Sequence, residues 1–436
     1  MKKGRVWQTL RICFAAGVLA LWGAAFSGVV PIAARIMGRT QFIPALLSAG
    51  IPLAVLLLLT ISGGRFYCAW LCPLGIIQDL LRWPFSRKNP GRIPAARRLR
   101  LLICGWTLGL LLCGWTAGFL WLDPYSNFGR IAGAFAWVGA GTLAVLAGLT
   151  VWKARFFCSA ICPAGTMLGA ASRYGVCRLV LRDSCVKCGR CAESCPAGCI
   201  DLESGTIDDE RCFRCMKCVA ACPRDAVGFR RRRSELPEFS RRKFLINTGF
   251  FAAGCAAGAL TAKSGLARRL PAPAASPVLP PGGGDMARFA ARCTGCQLCV
   301  RNCPAGIIVP PSGGVPGPVS LDLSRGGCRF DCNRCGRVCP TGAIRFLPLA
   351  EKRRTRIAEA RFDPRHCVVF QFESPCGKCA AACPTGAIRL RKNGTPRPVD
   401  RKLCIGCGAC RKVCPASPKA MTVTSVETQT LIAKES

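Results

Sequence analysis

The chain of 436 residues is almost without histidine, since His366 is its one histidine. A c-type haem is attached through C-x-x-C-H, and His366 is not part of that motif. Histidine-ligated haem, zinc sites with two histidines and Ser-His-Asp catalysis are not expected for the same reason. Acidic residues are also few, 22 against 61 lysines and arginines, and the formal net charge is +39. Disorder is excluded, because 51% of the residues are hydrophobic and only 19% are charged.

Long uncharged segments indicate a membrane domain. Five apolar runs cover about 12–34, 42–62, 101–122, 131–152 and 244–262. A helix needs about 20 apolar residues to cross a bilayer, and the first four runs meet that length. Lysines and arginines are concentrated before the first run, after the second and after the fourth. Because basic loops mark the cytoplasmic side, we expect a multi-pass protein of the bacterial cytoplasmic membrane with its N-terminus inside.

The fifth run has an export motif in front of it. Its sequence, Ser240-Arg241-Arg242-Lys243-Phe244-Leu245, agrees with the twin-arginine signal S-R-R-x-F-L at every specified position. The alternative is a basic stop before an ordinary fifth helix. The complete motif favours export, which would place the rest of the chain in the periplasm. That pathway carries folded proteins, so cofactors inserted in the cytoplasm would survive the transfer.

Cysteine is abundant, and most of it is arranged in groups. Of the 34 cysteines, 24 form six groups of four, and each group ends in Cys-Pro. Four groups have the spacing C-x2-C-x2-C-x3-C-P, and two have a longer first gap. The groups are Cys185, Cys188, Cys191 and Cys195; Cys212, Cys215, Cys218 and Cys222; Cys293, Cys296, Cys299 and Cys303; Cys328, Cys332, Cys335 and Cys339; Cys367, Cys376, Cys379 and Cys383; Cys404, Cys407, Cys410 and Cys414.

This spacing is typical of bacterial ferredoxins. Three close thiolates hold one [4Fe–4S] cluster, and the fourth reaches the other cluster of the pair. Zinc sites use two C-x2-C knuckles, and disulfides between such near neighbours would be strained. We therefore predict six [4Fe–4S] clusters, two cytoplasmic and four periplasmic. In the first pair Cys222 should join the first group and Cys195 the second, around a hairpin at Ser204-Gly205.

The pairing of the last four groups is open on sequence alone. Neighbouring groups could pair in order, or the second and third could pair inside the first and fourth. The second and third share the tail CPTGAIR at 339–345 and 383–389, which favours the nested arrangement.

An internal repeat lies in the membrane domain. Residues 64–75 match 154–165 at an offset of 90, and Cys68 and Cys72 align with Cys158 and Cys162. Two helical hairpins related by a pseudo-twofold axis would bring the paired C-x3-C-P turns together. These cysteines could simply pack at helix ends. The duplication favours a further redox site, whether metal, cluster or dithiol. The remaining cysteines, Cys13, Cys104, Cys113, Cys177, Cys199 and Cys255, are interpreted as packing residues.

The predicted fold is an α-helical membrane bundle of four helices in two repeated hairpins, with a fifth signal or anchor helix and α+β ferredoxin domains. The domains are 1–176, a membrane unit; 177–230, a cytoplasmic two-cluster domain; 231–270, the signal helix; 271–284, a linker; and 285–436, a periplasmic four-cluster domain.

These features resemble known families. The membrane unit with paired C-x3-C-P turns and a two-cluster tail resembles the NapH family of periplasmic nitrate reduction systems. The twin-arginine signal followed by four clusters is similar to the NapG family, and the MauN and MauM pair of methylamine utilisation is closely similar. The resemblance implies quinol oxidation at the membrane and electron delivery to a periplasmic reductase such as nitrate reductase. The fusion of both parts in one chain departs from the usual pattern.

Quinol oxidation also needs proton acceptors, and Asp79 and Asp123 are candidates for that role. The expected partners are the membrane quinol pool and an acidic periplasmic redox protein, with no nucleic acid. The second partner is expected because residues 285–436 have 25 basic and 10 acidic residues, a formal +15. That charge could instead favour anionic lipid. Alternative functions are a copper-reducing or assembly factor for a respiratory complex, or electron flow inward to cytoplasmic chemistry.

Overall fold

A computed structural model describes residues 2–48, 50–85, 97–113, 119–133, 136–231, 240–264, 277–311, 317–372, 375–392 and 394–432. Parts of the predicted third span, of the basic loop before it and of the predicted linker fall outside these ranges. The chain divides into two compact units. One contains residues 1–23 and 39–270, and the other contains residues 24–38 and 271–436.

Helices dominate the N-terminal part of the chain. They are α1 (Lys2–Phe26), α2 (Pro31–Arg39), α3 (Phe42–Ser48), α4 (Ile51–Gly63), α5 (Phe66–Trp70), α6 (Pro73–Arg82), α7 (Arg97–Leu112), α8 (Pro124–Ala132), α9 (Ala136–Trp152) and α10 (Pro163–Ser172). A 3₁₀ turn, Trp83–Phe85, follows α6, and a π-helical turn, Phe157–Ile161, precedes α10.

Proline and glycine interrupt the predicted spans. The first run is divided because α1 ends before Gly28, whose φ is +78°, and α2 begins at Pro31. The second run is divided as well, since Gly50 caps α4 and Pro52 lies in its first turn. Proline lacks the N–H that a continuous helix would need, so a new helix starts at each of these points. The uninterrupted spans predicted at 12–34 and 42–62 were therefore wrong in their bounds.

Two helices in the described ranges are long and apolar enough to cross a membrane, Gly4–Phe26 and Arg241–Lys263. The helices Ile51–Gly63 and Trp137–Trp152 are apolar but shorter. At 1.5 Å per residue, α4 with 13 residues is about 20 Å long, below the roughly 30 Å of a hydrocarbon core. The predicted four-helix bundle is thus not confirmed. The two long apolar helices correspond to the first and the fifth of the predicted apolar runs.

The fifth predicted helix is α11 (Arg241–Lys263), capped by the Ser240 hydroxyl, which accepts from the Lys243 N–H. It packs in parallel against α7 through buried glycines spaced four apart on each helix. A Cβ at Gly105 would lie 2.2 Å from the Phe251 carbonyl oxygen, and one at Gly258 would lie 2.2 Å from that of Trp106. Such small-residue pairs let helix backbones approach closely. This contact was not foreseen from the sequence.

The first ferredoxin domain is built from two short antiparallel sheets and two one-turn helices. Strand β1 (Cys177–Leu181) pairs with β4 (Val227–Arg231), and β2 (Ile200–Asp201) pairs with β3 (Thr206–Ile207). The helices are α12 (Arg190–Glu193) and α13 (Lys217–Ala221). The hairpin predicted at Ser204-Gly205 is confirmed, and Gly205 has the positive φ, +64°, that its turn requires.

The second unit contains the other ferredoxin elements. Its helices are α14 (Met286–Arg292), α15 (Leu298–Arg301), α16 (Arg334–Val338), α17 (Leu349–Lys352), α18 (Val368–Phe372), α19 (Lys378–Ala381) and α20 (Ala409–Val413), with a 3₁₀ turn at Pro364–His366. Strand β5 (Ile308–Val309) pairs with β6 (Ser320–Leu321), and β7 (Thr355–Phe362) pairs with β8 (Met421–Leu431), all antiparallel.

Candidate metal centres

Each cysteine group folds into a loop followed by one helical turn. The third cysteine lies in that turn, as Cys191 does in α12 and Cys218 in α13. A residue with positive φ precedes the turn in several groups, for example Gly189 at +82° and Met216 at +59°. The fourth cysteine then takes an extended conformation, because the following proline disfavours helix at the residue before it. The chain is thereby directed away from its own loop toward a second one.

The fourth cysteines cross between groups, as predicted for the first pair. Cys191 has Cys185 and Cys222 as electrostatic neighbours, and the exposed Cys188 lies in the same loop. We call this set site 1. Cys195, in contrast, lines a cavity together with Cys212, Cys215 and Cys218, and this set is site 2.

The second unit pairs its groups in order. Cys303 lines a cavity with Cys328, Cys332 and Cys335, and Cys414 lines one with Cys367, Cys376 and Cys379. Cys339 lies beside Cys293, Cys296 and Cys299, and Cys383 lies beside Cys404, Cys407 and Cys410. In chain order of their three-cysteine loops these sets are site 3 (Cys293, Cys296, Cys299, Cys339), site 4 (Cys328, Cys332, Cys335, Cys303), site 5 (Cys367, Cys376, Cys379, Cys414) and site 6 (Cys404, Cys407, Cys410, Cys383).

The nested pairing favoured by the shared CPTGAIR tail was therefore wrong. That tail shapes the turn after a fourth cysteine and does not specify which loop this cysteine reaches. Nesting would close a loop of about 100 residues between Cys303 and Cys404, against about 25 between Cys303 and Cys328. The longer loop costs roughly 1 kcal/mol more in closure entropy, which favours neighbouring partners.

The cavities fit a cluster of several metal ions with thiolate ligands. Apart from their cysteines, the cavities of sites 2, 4 and 5 are lined mostly by apolar residues. Four thiols around an apolar space match the donor set of a [4Fe–4S] cluster. In the described part of the chain no three histidine, cysteine or acidic side chains form a group suited to a single metal ion.

Site 2 has a fifth cysteine that the sequence analysis had assigned to packing. Cys199 is buried, lines the same cavity, and its Sγ lies 3.5 Å from the Sγ of Cys195. Hydrogen bonding with Cys195 and Cys212 raises the pKa of Cys199 and, in turn, lowers the pKa of Cys195 to about 6. The signal available in the sequence was its place four residues after a Cys-Pro cysteine, where alanine stands in three other groups.

Sites 4 and 6 adjoin each other in the second unit. The Cys328 N–H donates to the Cys407 carbonyl oxygen at 2.8 Å. Lys352 is 3% exposed, and its Nζ donates to the carbonyl oxygens of Arg329 and Phe330. It acts electrostatically on both Cys328 and Cys407. A buried cation thus lies between the two candidate sites.

In the first unit, the structure brings the paired C-x3-C-P turns together. Cys68, Cys72, Cys158 and Cys162 are all buried and are electrostatic neighbours of one another. Burial raises the pKa of Cys158 to about 11 and that of Cys162 well above its ordinary value. The Cys158 thiol contacts the amide oxygen of Gln78 at 3.2 Å. The turns therefore bring four buried thiols together.

One arginine from each turn hydrogen-bonds to the backbone of the other turn. Arg65, from the first turn, donates to the Cys158 carbonyl oxygen at 3.2 Å. Arg155, from the second, donates to the Cys68 carbonyl oxygen at 2.9 Å. These reciprocal bonds follow the pseudo-twofold relation predicted from the repeat.

The same arginines connect the turns to site 2. Their Cζ atoms lie 4.8 Å (Arg65) and 5.1 Å (Arg155) from the centre of the Phe213 ring. Phe213 is the residue next to Cys212 and is 1% exposed. Trp70 adds a hydrogen bond of 3.2 Å to the Arg214 carbonyl oxygen. Site 2 is therefore the ferredoxin site docked on the paired turns.

Both candidate proton acceptors have structural partners. Asp79 forms ion pairs with Arg11, with Arg155 at 2.6 Å and with Lys217 at 3.6 Å. Asp123 is fully buried at the start of α8, where it accepts from the Ser126 N–H at 2.7 Å and hydroxyl at 2.6 Å. Their role in quinol oxidation stays a prediction.

Comparison with protein-family models agrees with this arrangement. A 4Fe-4S binding domain matches residues 45–92 and again 134–181, as the internal repeat predicts. Models of a 4Fe-4S dicluster domain match 184–226, 327–387 and 374–418, and another matches 292–344. The chain thus carries several 4Fe-4S binding domains.

Curated relatives have the same character. The methylamine utilization ferredoxin-type protein MauN of Methylobacillus flagellatus is 28% identical over 157 residues, which cover 33% of this chain and 54% of that protein. The ferredoxin-type protein NapH of Escherichia coli is 29% identical over 163 residues, 35% and 55% of the two chains. The ferredoxin-type protein NapF of Escherichia coli is 32% identical over 147 residues, 33% of this chain and 84% of NapF.

The chain spans about half the length of MauN and NapH. No solved structure matches. The match to NapF covers most of that protein at 32% identity, and the 4Fe-4S domain matches indicate the same kind of protein. The chain therefore belongs to the family of Nap and Mau ferredoxin-type proteins.

Proposed function

We propose that sites 1 to 6 each hold a [4Fe–4S] cluster and that the protein passes electrons from membrane quinol to a periplasmic reductase such as nitrate reductase. The chain is an iron–sulfur electron-transfer protein by its domains and relatives. The finer proposal is carried by the docking of site 2 on the paired turns, because this contact connects a ferredoxin site directly to the membrane unit. A bound cluster supplies one-electron redox chemistry, and the protein orients and insulates it.

The paired turns are the proposed further redox site. Its four cysteines are Cys68, Cys72, Cys158 and Cys162. The arginines of the same turns, Arg65 and Arg155, contact the ring of Phe213, and Cys212 of site 2 directly precedes Phe213 in the chain. The two buried guanidinium groups against the Phe213 ring provide positive charge along this route. Such charge favours the arrival of an electron from quinol.

A redox titration tests this function. The full chain, purified without oxygen, is mixed with a reduced benzoquinone or naphthoquinone analogue and followed by EPR. Signals of reduced clusters should appear, and the double variant Cys68→Ala/Cys158→Ala should slow their appearance while sites 1 to 6 keep their iron. Clusters that dithionite reduces but quinol does not would contradict the proposed electron donor and favour an assembly or metal-reducing role.

Export by the twin-arginine pathway accounts for sidedness. Residues 24–38, which contain the outer end of the first predicted span and part of the loop predicted to follow it outside, belong to the same compact unit as the C-terminal ferredoxin domain. A reporter fused after Ser436 should be active only in the periplasm, and changing Arg241 and Arg242 to lysine should abolish that activity. The variant Arg230→Lys/Arg231→Lys makes the same change outside the motif and serves as the control, in which reporter activity should be unchanged. Undiminished export of the Arg241/Arg242 variant would show insertion by another route.

We further propose that α11 remains as a permanent anchor. Its glycines pack backbone against backbone on α7, and Trp106 Nε1 donates to the Thr261 hydroxyl at 3.3 Å. Removal of a cleaved signal would leave this face of α7 uncovered. Full-length protein of 46.6 kDa should therefore be recovered from membranes.

The proposed partner of the C-terminal domain is an acidic periplasmic redox protein. Four oxidised clusters, at about −2 each with their thiolates, would lower the formal +15 of residues 285–436 to roughly +7. Arg334, Arg337 and Lys412 lie among the cysteine groups and are exposed. Weak redox encounters depend on complementary charge more than on buried area.

Electron transfer to that partner should slow steeply with salt, as the Debye length falls from about 30 to 10 Å. Arg411→Glu/Lys412→Glu should lower the association rate without loss of iron. Arg391→Glu/Lys392→Glu makes the same charge change outside the cysteine groups and should have a smaller effect. A rate insensitive to both salt and these substitutions would favour attraction to lipid instead.

A further inference from the structure

Site 2 differs from the other sites by one side chain. Four residues after the crossing cysteine, four of the other five groups have Ala226, Ile307, Ala343 and Ala387, all at most 4% exposed, and the fifth has Pro418. Site 2 has Cys199 in the same place. Among these buried positions, Cys199 alone carries a side-chain hydrogen that can be donated.

The hairpin fixes the position of this thiol. Cys199 immediately precedes β2, and its carbonyl oxygen accepts from the Asp208 N–H at 2.9 Å. Its Sγ is 3.5 Å from the Sγ of Cys195, within hydrogen-bonding distance for sulfur, and it faces the cavity shared with Cys212 and Cys215. A fifth thiol is thereby held beside a ligand set that is already complete with four.

We propose that Cys199 is a positioning residue that donates an S–H···S hydrogen bond to Cys195 and raises the reduction potential of site 2. The inference rests on the proposed function, since Cys195 is taken as a cluster ligand. Uptake of one electron adds one negative charge to the site, and a donor on the ligand sulfur stabilises the reduced form more than the oxidised form. Hydrogen bonds to cluster sulfurs are among the factors that set such potentials.

The location of site 2 explains why a higher reduction potential there would be useful. Site 2 is docked on the paired turns through Phe213, so it is the ferredoxin site that receives the electron first. A higher potential there favours removal of the electron from the membrane site. Site 1, with Ala226 in the corresponding place, has no such donor.

The test compares the full-length protein with Cys199→Ala, Cys199→Ser and, as a control cysteine of the same domain, Cys177→Ala. Iron content and EPR-monitored midpoint potentials are measured anaerobically. Loss of one net hydrogen bond should change the equilibrium constant for reduction roughly fivefold, which lowers one potential by about 40 mV in Cys199→Ala. In Cys199→Ser the hydroxyl can still donate, so its potential should stay close to that of the unaltered protein. Cys177→Ala should leave all potentials unchanged.

Two results would overturn the inference. An unchanged set of potentials in Cys199→Ala would show that the thiol only fills space. Loss of about four iron in that variant would show that Cys199 is itself a ligand. Failure of the proposed function would look different: the unaltered protein would then lack iron at site 2, or its clusters would be reduced by dithionite and not by quinol.

Discussion

Iodoacetamide should label Cys383, and not Cys303, in the double variant Cys404→Ala/Cys407→Ala. Two ligands of site 6 are removed, so its cluster cannot be held and iron should fall by about four. Cys383 crosses into that site and would be left as a free thiol. Cys303 remains protected in site 4. Labelling under anaerobic, native conditions followed by peptide mass spectrometry identifies the released cysteine.

The matched variant Cys328→Ala/Cys332→Ala disables site 4 in the same way. It should release Cys303 and leave Cys383 protected. Nested pairing predicts release of Cys303 when site 6 is removed, because the first group would then cross to the fourth. Labelling of Cys303 in the site 6 variant would therefore contradict the arrangement described.

Replacing Arg155 by alanine should destabilise the membrane unit by about 3 kcal/mol or more. Its guanidinium is 1% exposed, forms a two-point contact with Asp79 and donates to the Cys68 carbonyl oxygen. Breaking a buried ion pair by removal of one partner typically costs about 3–5 kcal/mol. The low end is expected because Arg11 and Lys217 continue to face Asp79.

Arg65 provides the control, since it occupies the same place in the other repeat. It makes the equivalent bond to the Cys158 carbonyl oxygen and the equivalent contact with Phe213. Among the described residues, however, it donates to carbonyl oxygens and the Cys68 thiol and not to a carboxylate. Arg65→Ala should therefore cost less, and Arg155→Lys should lie between the two because lysine lacks the forked geometry. Thermal unfolding in detergent, followed by cluster absorbance, measures the order. Equal losses for Arg65→Ala and Arg155→Ala would refute the role given to Asp79.

The local parts of this structure could be predicted from the sequence. Ligand spacing acts over eleven or so residues, so the cysteine groups, the crossing of Cys195 and Cys222 and the hairpin at Ser204-Gly205 follow from short-range geometry. The C-x3-C-P repeat predicted that Cys68 and Cys158 would meet, because duplicated hairpins tend to pack symmetrically.

Long-range partners could not be predicted in the same way. The shared CPTGAIR tail is a local feature and gave no information on which loop Cys339 or Cys383 would reach. Cys199 looked like a packing cysteine because its neighbour Cys195 already belonged to a complete group. The apolar runs masked helix ends at Gly28 and Gly50, since hydropathy does not register the backbone effect of glycine and proline.

The most direct measurement is the iron and acid-labile sulfide content of the anaerobically purified full-length protein. Six sites of four thiols predict about 24 iron and 24 sulfide per chain. A content of about 16 or less, from protein never exposed to oxygen, would contradict the account, because at least two of the six sites would then hold no cluster.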